Sequence, residues 1–125
     1  MTPRDRAREL LGIATGDEQD AHLLRANERL ASASFHYQQA AEKLLKALLA
    51  DRNVDYPRSH DMGMLAELVA AEGFEIPATT EDLIALTPFA ATLRYEATQT
   101  EAELDLDQTN AMVKRLRAFV EEALR

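Results

Sequence analysis

The sequence predicts an all-α fold: an up-and-down bundle of about five helices, forming a single domain over residues 1–125. Three observations carry that prediction. Leu, Ala and Glu dominate the composition. Apolar residues recur at three- and four-residue steps along most of the chain. No convincing strand interrupts them, since Ile76 to Thr80 is short and broken by Pro77. A chain of 125 residues can bury a sizeable core without disulfides or a structural metal.

The first helix starts at Thr2 or Pro3, because Thr caps well and Pro suits the first helical position, where its missing N–H costs nothing. Leu10, Leu11, Ile13 and Ala14 supply its apolar stripe, and Ala21, Leu23, Leu24 and Ala26 continue it. Gly16 marks a weak point, and both one helix over 3–27 and two helices broken there fit; the single helix is preferred.

The second helix, from Glu28 or Leu30 to Ala50, is the most regular stretch. From Ser34 to Leu49 it has no Gly, Pro, Val, Ile or Thr, and Phe35, Gln38, Ala41, Leu45, Leu48 and Leu49 fall on one face. This is the expected central core helix. A turn-rich connection, 51–57, follows.

Ser59 is the expected N-cap of helix three, with Asp61 complementing the dipole. Met62, Leu65, Leu68 and Val69 form its buried stripe, and Gly73 fits the C′ position that ends it. Thr79-x-x-Asp82 reads as a capping-box-like start for a short helix. Pro88 forbids a straight continuation, so a new helix is expected from Phe89 to about Thr98. The acidic stretch from Glu101 to Asp107 opens the last helix, whose core face is Met112, Val113, Leu116, Phe119, Val120 and Ala123. Lys114, Arg115 and Arg117 are its polar face.

Composition also bounds function. A formal charge of −8 argues against a protein that coats nucleic acid by charge alone. Absent Trp and 6% aromatics support no base-stacking platform. The absence of Cys removes thiolate metal sites and cysteine nucleophiles. No apolar run approaches the roughly 18 residues that span a membrane, and the N-terminus has no signal-peptide pattern, so a cytoplasmic protein is expected. The histidines, His22, His36 and His60, show no zinc-ligand spacing, so neither a metal nor another cofactor is expected. Arg29 and His36 are two turns apart, a spacing that arises about once by chance in a chain this rich in Arg.

The remaining candidates cluster near the start of helix two and after Pro88. Gln38 lies on the apolar face, and a buried amide demands partners. Gln39, Glu42, Lys43 and Lys46 read as a solvated flank, with Glu42 and Lys46 an i,i+4 ion pair. Arg94 offers a planar fork suited to phosphate, and Tyr95 a neighbouring donor or stacking face.

Phe35-His36-Tyr37-Gln38-Gln39-Ala40-Ala41-Glu42-Lys43-Leu44-Leu45-Lys46-Ala47-Leu48-Leu49 resembles the signature of HEPN domains (higher eukaryote and prokaryote nucleotide-binding). Pro57-Arg58-Ser59-His60-Asp61-Met62, then Leu65 and Leu68, resembles that family's Pro-x-(Ser/Thr)-His-(Asp/Ser)-Leu segment. Leu86-Thr87-Pro88-Phe89-Ala90 through Arg94-Tyr95 resembles its Leu-Thr-x-Tyr-Ala…Arg-Tyr-Pro stretch, with Glu96 in place of the final Pro. The three matches keep the family's order. The resemblance implies a homodimeric helical bundle, often a two-gene toxin–antitoxin partner of a minimal nucleotidyltransferase, binding a nucleotide or RNA. Some members are metal-independent ribonucleases that use a late Arg-x4–6-His motif across the dimer. Here no His follows Arg94, so this departure from the family pattern favours a non-enzymatic member, the alternative being a divergent ribonuclease in which Arg94 meets His36 or His60 in space or across a dimer. The ligand-site candidates are then Arg94, Tyr95, His36, Gln38, Gln39 and His60.

Overall fold

The computed structural model describes residues 1–94 and 104–125, the side chains of 91–94 excepted. It contains α1 (Pro3–Ala26), α2 (Leu30–Asp51), α3 (Met62–Ala71), α4 (Thr80–Ile84), a 3-10 helix (Thr87–Arg94) and α5 (Leu106–Ala123). Among the described residues there is no strand, and the all-α bundle expected from the periodicity is the fold.

α1 is one unbroken helix of 24 residues. Thr2 caps it through a reciprocal capping box with Asp5, two backbone N–H groups being satisfied at once. Gly16 does not break it, since the packed face on either side, Ala14, Glu18 and Ala21, holds the backbone in register. The chain reverses at Asn27–Arg29, where Glu28 takes a left-handed φ of 58°. α2 then packs antiparallel along α1, their most extensive contact, with Arg4 bonded to Asp51 at one end and His36 to Asp17 further along. α5 also runs antiparallel to α1: Arg4 and Arg8 donate to the carbonyl of Leu124, Arg117 to Glu18, and Arg25 to Asp107.

The connection after α2 does more than turn. Residues 52–61 run back along α2, so that Tyr56 meets Lys46, His60 meets Glu42 and Met62 meets Gln38. α3 therefore starts beside the N-terminal half of α2 and descends parallel to it, reaching Arg52 at the carbonyl of Glu72. Parallel neighbours need a long connection, and this one is long enough.

Three local expectations change. The N-cap of α3 is Asp61, whose carboxylate accepts from the Met64 N–H at 3.1 Å; Ser59 instead accepts from the Asp61 N–H at 3.0 Å and sets up the turn before it. The carboxylate wins the cap because it also complements the helix dipole. After Pro88 the chain forms a 3-10 helix, starting at Thr87, whose hydroxyl accepts from the Met62 N–H. The expected continuation to Thr98 lies partly outside the described residues. α5 opens at Leu106 with Asp105 as its cap, later than the acidic run suggests. Gly73 stands where the C′ reading put it, at φ 87°, and Thr79 accepts from the Asp82 N–H.

The core is centred on α2. Tyr37, Ala40, Ala41, Leu44, Leu45, Leu48 and Leu49 are buried, against Leu10 and Ala14 of α1, Leu65 and Val69 of α3, and Met112, Leu116 and Val120 of α5. Tyr37 belongs to this core, its hydroxyl donating to Asn110 at 3.4 Å. Phe35 does not: it is half-buried and stands edge-on to His36 with ring centroids 5.1 Å apart. Arg117 is no simple surface residue, since it binds the buried Glu18 at 2.7 Å.

Candidate functional site

α2 carries two polar ridges beside its apolar face. Gln38, Glu42 and Lys46 follow at four-residue steps; His36, Gln39 and Lys43 form the adjacent ridge. With Asp17 of α1, the structure joins both into one chain of hydrogen bonds and an ion pair.

Glu42 is its centre. The residue is 3% exposed, and burial alone would push its carboxyl up. Hydrogen bonds from Lys46, His60 and Gln38, together with the Lys46 charge, outweigh burial and hold it below the ordinary carboxylate value of 4.5. Oε1 accepts from Gln38 Nε2 at 2.8 Å and pairs with His60 Nδ1 at 2.8 Å; Oε2 accepts from Lys46 Nζ at 2.9 Å. Glu42 is thus ionised at neutral pH and accepts only, so Nδ1 of His60 carries the hydrogen. His60 Nε2 is then a bare acceptor when the ring is neutral and a donor when it is charged. Its side chain is 61% exposed, so this outer nitrogen is available to a ligand.

From Glu42 the chain runs the other way. Gln38 Oε1 accepts from Gln39 Nε2 at 2.6 Å, and Gln39 Oε1 accepts from Lys43 Nζ at 2.7 Å. Lys43 Nζ lies 3.5 Å from Asp17 Oδ2, and Asp17 Oδ1 lies 3.1 Å from His36 Nδ1. His60 and His36 therefore terminate one polar chain that crosses α2 from the α3 side to α1.

Four of the six predicted residues, His36, Gln38, Gln39 and His60, are brought into this network. Their parts differ. Gln38 is fully buried and uses both amide hydrogens, one on Glu42 and one on Met62 Sδ at 3.8 Å, and its carbonyl on Gln39. It positions neighbours within the chain. Arg94 ends the 3-10 helix, with its side chain outside the described residues, and Tyr95 lies outside them altogether.

In the sequence Glu42 reads as part of a solvated flank; in the structure it is buried and bonded to His60 of the returning connection. The four-residue Gln38–Glu42–Lys46 spacing was a usable signal, because an amide on the apolar face needs such a partner. Asp17 left no signal, since its partners come from another helix. It also brings Asp20 with it: Asp17, Asp20 and His36 each offer an atom within 4.8 Å of the others. No His/Asp spacing within one helix reveals a grouping that two helices build.

A shallow cavity of about 140 Å³ lies elsewhere, between Asp82, Ala85, Asp105, Gln108 and Met112. It holds none of the predicted residues. Among the described residues no helix is long and apolar enough to cross a membrane.

Comparison with known proteins gave no match among curated proteins and none among solved structures. The family model described as "HEPN domain" matches residues 7–125. That span includes all of the polar chain and every helix except the first turn of α1, and the chain belongs to the HEPN domain family.

Proposed function

We propose that this HEPN-domain protein is a non-enzymatic, homodimeric, cytoplasmic component of a two-gene module with a minimal nucleotidyltransferase. It binds a nucleotide-like ligand or the partner protein beside the N-terminal half of α2. The observation that carries the reading is His60, an exposed imidazole fixed in orientation by the buried carboxylate of Glu42. A ligand phosphate or base edge meets a set hydrogen-bonding group there, with its rotation already restrained. By residue chemistry, Arg94 is the phosphate-binding fork of this reading and Tyr95, next in the chain, its donor or stacking face. The lack of any His after His60 supports a non-enzymatic role, because the late Arg-x4–6-His motif is missing.

The test is thermal-shift and calorimetric titration with ATP, ADP, AMP and short oligoribonucleotides, on wild type and on His60→Ala and Arg94→Ala. Co-purification with a nucleotidyltransferase encoded by the neighbouring gene is measured alongside. Binding of a nucleotide that either substitution weakens at least tenfold is expected. No shift with any nucleotide, together with unchanged partner capture by both variants, overturns the assignment.

One observation favours a second reading, a divergent metal-independent ribonuclease. A carboxylate-held imidazole whose outer nitrogen has no partner among the described residues is the arrangement a general base requires. Labelled RNA incubated with wild type, His36→Ala and His60→Ala separates the readings: cleavage lost in one of the variants supports the ribonuclease.

A further inference from the structure

We infer that Asp17, Asp20 and His36 form a binding site for a divalent transition-metal ion in the seam between α1 and α2. The site is separate from the His60 end of the polar chain and does not depend on the function proposed for it. The ligand set is two carboxylates and an imidazole, which distinguishes it from an acidic surface patch. Carboxylates alone favour Mg²⁺ or Ca²⁺, whereas an imidazole shifts preference to Zn²⁺, Mn²⁺ and Co²⁺.

Geometry supports it. Zinc bonds to His nitrogen and carboxylate oxygen are about 2.0–2.2 Å, so neighbouring ligand atoms sit roughly 3.0–3.5 Å apart. Asp17 Oδ1 and His36 Nδ1 are already 3.1 Å apart, and all three ligand atoms lie within 4.8 Å of one another. Asp20 is exposed, so its side chain can swing in the remaining distance at little cost. It stands one turn from Asp17 on the same helix, so the two carboxylates approach the ion from one side and His36 from the other.

The two less exposed ligands are each held by a neighbour. Lys43 approaches Oδ2 of Asp17, leaving Oδ1 toward His36, and the Phe35 ring stands edge-on to the imidazole. The Lys43 contact restrains the orientation of the Asp17 carboxylate, as polar neighbours of metal ligands do. The charges also fit: two carboxylates less one ammonium leave a net negative site beside the imidazole. Metal coordination needs the Nδ1 lone pair. A neutral ring therefore carries its hydrogen on Nε2 when the ion is bound, and a charged ring releases one proton to solvent.

The test is titration of chelator-treated protein with Zn²⁺ and Mn²⁺ by calorimetry, and with Co²⁺ by visible absorption. One saturable ion per chain is expected, with affinity rising with pH. His36→Ala and Asp20→Asn should each weaken binding at least tenfold, while His22→Ala leaves it unchanged. Circular dichroism of each variant confirms the fold, and Asp20→Asn keeps the question answerable if His36→Ala does not fold. Absence of saturable binding below about 1 mM overturns the inference. So does binding that both ligand substitutions leave unchanged, which places the ion elsewhere.

Discussion

Glu42 shows how a single residue's surroundings set its role. On an exposed helix face the Glu42–Lys46 pair would contribute only a few tenths of a kcal/mol. Buried, with three donors on two oxygens, the carboxylate becomes a junction whose loss strands the buried Gln38 amide and the largely buried Lys46 ammonium. Glu42→Ala should therefore lower stability by about 3–5 kcal/mol, measured by urea unfolding. Glu42→Gln, which keeps the shape and one acceptor, should cost about 1–2 kcal/mol. The pH dependence follows from the same bonds. Because the folded carboxyl lies below 4.5, its contribution is fully present above that pH and is lost as pH falls through the lower folded value. Acid unfolding curves of wild type should steepen below about pH 4.5, and those of Glu42→Gln should be flatter there. Equal slopes in the two proteins would show that Glu42 is not held as described.

Among the elements, α2 matters most because both its faces are used. Leu45 is fully buried in the centre of the core, so Leu45→Ala should cost about 2–5 kcal/mol by the same measurement. The α1–α2 turn carries a different kind of strain. Glu28 sits at φ 58°, a left-handed conformation that costs a non-glycine residue about 1 kcal/mol or more. Part of that would be regained by Glu28→Gly, net of the greater chain entropy Gly loses on folding. A rise in stability of about 0.5 kcal/mol is expected, and a fall would mean that the Glu28 side chain contributes something its backbone conformation conceals. Asn53, at φ 56°, already has a residue type that tolerates this region.

For the whole molecule, the antiparallel α1–α2 pair is the scaffold, and α5 and the α3 segment close it from two directions. The Glu18–Arg117 bond ties α1 to α5, and His60–Glu42 ties the returning connection to α2. The proposed homodimer is tested at this scale. Sedimentation equilibrium should give twice the chain mass of 14.0 kDa, and a monomer at working concentrations would remove the dimer from the proposed function. Among the described residues, Ile13, Leu23, Leu30 and Ile84 are the large apolar side chains left exposed away from the terminus. Leu23 and Leu30 flank the α1–α2 turn, and Leu23→Glu is the substitution that asks whether that end takes part. Dissociation of a dimer by Leu23→Glu would place the interface there.

Periodicity and capping chemistry determined most of the helices. Thr2, Thr79 and Gly73 act where their residue types predict, because caps depend on neighbours three or four positions away in the chain. The signature around Phe35 to Leu45 likewise pointed to the HEPN family, whose model matches residues 7–125. Tertiary structure decided what local spacing cannot encode. The run of residues 52–61 back along α2 brought His60 to the buried Glu42 and made an apparent surface ion pair the centre of a network. The packing of α1 on α2 put Asp17 and Asp20 beside His36, across a sequence separation that no motif records. Burial and long-range pairing belong to whole elements coming together, so the residues that carry chemistry here acquired their partners only when the bundle closed.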